Sequence, residues 1–105
     1  MIDETELMNF SIALDLIKKG LRVAREGWNG KDMFIFLVPG SRFEVSRPPL
    51  LGAYAAGTPI DYHAHIDMRT ADGYVVPWVA SQTDLLADDW LIVEYAPFHK
   101  QQHGA

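Results

Sequence analysis

Apolar residues recur first at helical spacing: Phe10, Ala13, Leu14 and Ile17 fall on one side of "NFSIALDLIKKG". Asn9 or Ser11 can cap the start, Lys18 and Lys19 stand in the last turn and Gly20 supplies the stop, so a short amphipathic helix is predicted. Beyond it the period changes. "LRVAR" alternates briefly, and "MFIFLV" is apolar on both faces, as suits a strand covered by chain on each side. "RFEVS" alternates until Pro48 and Pro49, which have no N–H to give a ladder. "LLGAYAAGTP" is rich in glycine and small residues and reads as a loop. From Ile60 the alternation is clean, with Ile60, Tyr62, Ala64, Ile66 and Met68 on one face and Asp61, His63, His65, Asp67 and Arg69 on the other. One half-exposed strand is predicted there. "TADG" predicts a turn, "YVVPW" a strand interrupted by Pro77, "QTDLLADD" a short helix capped by Ser81, and "WLIVEY" a last strand.

Strands joined by turns, with no strand-helix-strand rhythm, imply an α+β fold: a single small domain whose mostly antiparallel sheet carries one N-terminal helix and one short helix packed on a face. Residues 1–8, with Asp3, Glu4 and Glu6, read as a flexible leader, 9–95 as the single domain, and 96–105 as a disordered tail. Between the first two strands Trp28 precedes Asn29-Gly30, a pair that favours the positive φ of a type I′ hairpin turn. A large aromatic is thereby placed beside a turn.

Composition narrows the classes of partner. The 105 residues are 49% hydrophobic, enough for one modest core, and the net charge of −5 disfavours a bulk electrostatic grip on nucleic acid or an anionic membrane. No apolar run reaches the length of a spanning helix, and "MIDETEL" lacks the positive charge of a signal peptide. The absence of cysteine excludes a disulfide framework and cysteine-ligated zinc and fits a cytoplasmic protein.

Few residues suggest chemistry. His63 and His65 share a strand face with Asp61 and Asp67, but with no third ligand pair a solvated face is the better reading, and no metal is assigned. No serine lies in a nucleophile elbow, and "GWNGKD" lacks the length and context of a phosphate-binding loop. Asp88 and Asp89 could act as acid and base, though a solvated helix end is the commoner meaning of such a pair. Near the predicted turns cluster Trp28, Asn29, Arg47, Pro48, Pro49, Trp78, Gln82, Thr83 and Asp84. Aromatic planes with short polar groups and an arginine can stack a base and bind a phosphate. By composition alone, core packing of Trp28 and Trp78 is the stronger alternative.

The blocks "EGWNGKDMFIFLVPGS", "RPPLLG", "HIDMRTADG" and "VPWVASQTDLLADDW" resemble, in order and from Asn9 to about Glu94, the phage and prophage Thoeris anti-defence protein two family. The resemblance implies a non-enzymatic sponge. Such proteins bind the cyclic ADP-ribose isomer (glycocyclic ADP-ribose) made by bacterial TIR-domain enzymes, and some also hold the cyclic dinucleotides of CBASS in separate pockets. It further implies homotetramers with pockets between subunits, no cofactor, and action in the cytoplasm of the bacterial host. Residues 9–95 then form a ligand-binding domain. The family's Trp-Asn-Gly falls on Trp28, Asn29 and Gly30, where base stacking and polar contact are expected. Its Arg-Pro-Pro falls on Arg47, Pro48 and Pro49, near the second kind of pocket. Its Ser-Gln-Thr-Asp falls on Ser81, Gln82, Thr83 and Asp84, contacting ribose or phosphate or merely capping a helix. Arg25, Arg47 and Arg69 are the candidate pyrophosphate ligands. The alternatives are a small nucleotide-degrading enzyme and a module that occludes a host protein.

Overall fold

The computed structural model describes residues 6–28 and 32–93. Asn29 and Gly30, and the leader and tail except for residues 6–8, lie outside the described residues. The helix α1, Phe10–Lys18, begins where the Asn9 side chain accepts a hydrogen bond from the Ile12 N–H at 3.0 Å. That bond satisfies one of the donors a helix start leaves free. The helix ends where Gly20 takes a φ of 95°, a conformation costly for any residue with a Cβ.

Among the described residues seven strands follow: β1 (Val23–Arg25), β2 (Phe34–Val38), β3 (Ser41–Glu44), β4 (Pro59–Tyr62), β5 (His65–Arg69), β6 (Val75–Pro77) and β7 (Trp90–Ile92). Five form one antiparallel sheet in the order β6-β5-β2-β1-β7, and β3 and β4 form a separate two-stranded ribbon. The α+β class predicted from the sequence is the class observed. Register explains the core. Val23 lies opposite both Ile35 and Ile92, and Ile35 opposite Met68, so these side chains share one sheet face. Against it pack Ala13, Leu16 and Ile17 of α1. Each fully buried aliphatic side chain here contributes about 1.5–3 kcal/mol. The opposite face of β2 is more open: Phe34 is buried, Phe36 half-buried, and the Arg22 guanidinium lies 5.7 Å from the Phe34 ring centre.

Three sequence expectations need correction. The run from Ile60 to Arg69 is not one strand but two, because residues up to Tyr62 pair with β3 while those from His65 pair with β2. The chain turns out of one layer into the other at His63 and Ala64. There Gly40, on the outgoing leg from β2 to β3, passes so close that a Cβ would sit 3.0 Å from the Tyr62 carbonyl oxygen. Next, the "LLGAYAAGTP" stretch holds an irregular helical turn, α2 (Leu50–Ala53), bent at Leu51 and Gly52. The connection between β1 and β2 covers residues 26–33, and the turn expected at Asn29-Gly30 lies outside the described residues. Finally Met8, placed in the leader by its acidic neighbours, is buried and exchanges main-chain hydrogen bonds of 2.8 and 3.0 Å with Trp90.

The second short helix, α3 (Gln82–Leu86), lies beside α1 and meets the sheet through Asp84, which bonds Arg25 of β1 and Trp90 of β7. At the far edge, Thr70 N–H bonds Tyr74 O and Trp78 N–H bonds Ile66 O. Alternation then turns the main-chain groups of Val75 and Pro77 outward. Pro77 has no N–H to offer there, so it guards an edge that could otherwise template another strand.

Candidate functional site

Trp90, on β7, has no solvent exposure and organises an aromatic cluster. Its ring centre lies 5.1 Å from Phe10, 5.3 Å from Trp28 and 6.1 Å from Trp78, with both tryptophan pairs near perpendicular. Its indole Nε1–H donates to the Asp84 carbonyl at 3.0 Å. Trp28 and Trp78 are half-buried. Each rests one part of its indole on the core and leaves another part at the surface, which joins the two alternatives the sequence left open. Sequence reasoning passes over Trp90; its signal was the apolar "WLIV" run closing the chain.

Beside the rings lies a knot of charge. Arg25 ends β1 and donates from Nε to Asp89 Oδ1 at 2.8 Å and from Nη1 to Asp84 Oδ1 at 3.0 Å. Asp84 is the third residue of α3 and closes a capping box: Ser81 Oγ accepts its N–H at 3.0 Å, and its Oδ2 accepts the Ser81 N–H at 3.2 Å. The same Oδ1 also lies 3.5 Å from Trp28 Nε1. Asp89 Oδ2 accepts the Gly27 N–H at 2.9 Å. A Cβ at Gly27 would sit 3.0 Å from that oxygen, so a larger residue there would press on the Asp89 carboxylate.

These bonds set the protonation states. Burial pushes the Asp84 carboxyl up, but the hydrogen bonds from Arg25, Ser81 and Trp28 together outweigh it and hold the group below the usual range. The Arg25 hydrogen bond holds Asp89 down against a smaller burial effect, and Asp89 in turn raises Arg25. One cation faces two anions, leaving the knot net negative. Arg25 is thus a structural tie with its charge already matched, and the expectation that it receives a pyrophosphate is withdrawn. Asp89, with both oxygens engaged, is not poised as an acid or base.

The other candidates lie elsewhere. Arg69 donates from Nη1 to the main-chain oxygens of Asp32 at 2.9 Å and Thr70 at 3.3 Å, securing the far stem of the 26–33 connection. Gln82 and Thr83 are exposed on the first turn of α3. Arg47, Pro48 and Pro49 are exposed beyond the ribbon, and with Phe43, Glu44 and Leu50 they border a depression of about 180 Å³. That is smaller than the several hundred Å³ typical of small-molecule pockets. The structure therefore brings Trp28, Trp78 and Asp84 together around Trp90 and keeps the Arg47 group apart. Asp61 pairs with Arg42 in the ribbon at 2.7 Å, whereas Asp67 lies in the main sheet. Among the described residues, no three histidine or acidic side chains are grouped to hold a metal.

The family model described as a Thoeris anti-defense 2-like domain matches residues 8–93. Over 86 residues the chain is 42% identical to the protein named Thoeris anti-defense 2 of Bacillus phage SP01, an alignment spanning 82% of this chain and 94% of the relative.

Proposed function

Because the chain belongs to the Thoeris anti-defense 2-like family, we propose that it is a phage anti-defence protein that works without turnover. It binds and sequesters a signalling nucleotide, glycocyclic ADP-ribose, inside the infected or lysogenic host and so withholds it from the effector. The observation that carries this reading is the pair of half-buried indoles, Trp28 and Trp78, seated on Trp90 and partly open to solvent. A base stacked on such a platform is bound without hydrogen-bond readout. Asn29 and Gly30 add polar contact, and Gln82 and Thr83 share the first turn of α3 with Asp84, which faces the Trp28 and Trp90 indole N–H groups.

Sequestration needs affinity and stoichiometric amounts of protein, not a reactive group. The engagement of Asp84 and Asp89 with Arg25 favours that reading over a nucleotide-degrading enzyme. The negative knot also requires that phosphate charge be met away from Arg25. Arg47 is exposed, with no ion pair among the described residues, and together with Pro48 and Pro49 forms the subsite for cyclic dinucleotides. A single protomer's depression there is too small for a whole dinucleotide, so the ligand is shared between copies in a homotetramer. Val79 and Leu86, 87% and 77% exposed, support such self-association. Among the described residues no helix is long and apolar enough to cross a membrane.

The test is calorimetric titration with glycocyclic ADP-ribose of the natural chain and of Trp28→Ala. The variant stays folded and binds about 1–3 kcal/mol more weakly, the worth of one base-aromatic stack. Equal affinity in the two proteins refutes the assignment of Trp28, and absence of binding to the natural chain refutes sequestration of this nucleotide.

A further inference from the structure

Residues 26–28, which lead out of β1, are held by hydrogen bonds that come mostly from one short stretch, residues 84–89. Asp89 accepts the Gly27 N–H through Oδ2, receives Arg25 Nε through Oδ1, and accepts the Glu26 N–H at 2.9 Å through its main-chain oxygen. Arg25 passes the restraint to Asp84, whose Oδ1 faces both Arg25 Nη1 and Trp28 Nε1. The carboxylates are 14% and 25% exposed and the guanidinium 17%, so these charge-assisted bonds are shielded from much of the solvent that weakens surface pairs. On the other stem, Arg69 grips the Asp32 carbonyl.

From this geometry we infer that Asp89 is a positioning residue for ligand capture: it fixes the Trp28 indole in its stacking orientation through Gly27 and through the Arg25–Asp84 relay. The inference rests on the proposed reading of Trp28 as a base platform. Its physical content is pre-organisation. An aromatic plane held in place before the ligand arrives does not have to be ordered at the moment of binding, and the ordering cost is taken from the folded state instead. A helix cap alone would need only Asp84 and Ser81. Asp89 lies outside the helix, and its bonds serve the connection that carries Trp28.

The experiment uses the full chain labelled with 5-fluorotryptophan. Each of its three tryptophans gives one fluorine resonance, and that of Trp28 is identified by its loss in Trp28→Phe. In Asp89→Ala the Trp28 resonance shifts and broadens while that of Trp90 stays in place. Affinity for glycocyclic ADP-ribose falls about ten- to a hundredfold, the worth of a charge-assisted hydrogen bond. Binding of cyclic GMP–AMP, which depends on Arg47, falls by a much smaller factor. Asp89→Asn retains an acceptor for Gly27 but loses the charge facing Arg25, and it gives an intermediate loss; it also serves if the alanine variant does not fold. An unmoved Trp28 resonance, an unchanged affinity for glycocyclic ADP-ribose, or equal losses for both nucleotides overturns the assignment. Failure of the underlying reading is distinct. It would show as natural affinity in Trp28→Phe and Trp28→Ala, whatever the fluorine spectrum of Asp89→Ala.

Discussion

Replacing Asp84 by alanine tests the charged knot as a structural device. The side chain has three roles: it returns the capping-box bond to Ser81, pairs with Arg25, and faces Trp28 Nε1. The pair with Arg25 is largely buried but Arg25 keeps Asp89, so no uncompensated cation is left, and the loss lies near the low end for a charged bond, about 1.5 kcal/mol. The capping contact adds about 1 kcal/mol. The Trp28 contact, at 3.5 Å, adds little. A loss of about 2–3 kcal/mol follows, which for a domain of this size lowers Tm by roughly 10–20 °C. The assay is urea unfolding at neutral pH followed by near-ultraviolet circular dichroism, with Asp88→Ala as the control because Asp88 is exposed. The control changes by less than about 0.5 kcal/mol. The sign with pH is fixed as well. Asp84 and Asp89 both titrate below their ordinary value in the fold, so the unfolded chain binds more protons in acid. The stability they confer is complete above about pH 4 and is lost as pH falls through the folded values, and the gap between the natural chain and Asp84→Ala closes with it. A gap under 0.5 kcal/mol at neutral pH, or one that widens in acid, would refute the reasoning.

Other outcomes follow from the same structure. Arg47→Ala, at an exposed position, leaves Tm within a degree or two and weakens cyclic GMP–AMP binding more than glycocyclic ADP-ribose binding; calorimetry with both nucleotides checks this. Gly40→Ala forces a Cβ toward the Tyr62 carbonyl and lowers stability by about 1–3 kcal/mol, with hydrogen exchange quickening in the ribbon amides of β3 and β4 before those of the main sheet. Ile35→Ala, at a fully buried position, costs about 2–5 kcal/mol in urea unfolding.

Local signals carried the elements that are locally determined. Asn9 and Gly20 bound α1, Gly73 with a φ of 93° closes the "TADG" turn, and Ser81 caps α3, each through bonds to residues a few positions away. The strand break at His63 and Ala64 left no such mark. The apolar-polar alternation keeps its phase across the corner, and what divides the run is the choice of partner, β3 on one side and β2 on the other. The site was legible to the same extent. Trp28, Trp78 and the Ser81–Asp84 block stand out by residue type, but the role of Arg25 is set by carboxylates 59 and 64 positions along the chain. A guanidinium looks alike in sequence whether it awaits a phosphate or is already matched. The hub of the cluster, Trp90, was hidden for a related reason: within an apolar strand nothing marks one residue as the point where helix, connection and sheet meet.

The central claim is capture without chemistry at the Trp28 platform. The most direct measurement incubates glycocyclic ADP-ribose with stoichiometric protein, removes unbound ligand, denatures the complex and analyses the released nucleotide by chromatography. The natural chain is expected to retain the nucleotide and release it unaltered, while Trp28→Ala retains far less. A hydrolysed product, or equal retention by the two proteins, would contradict the claim.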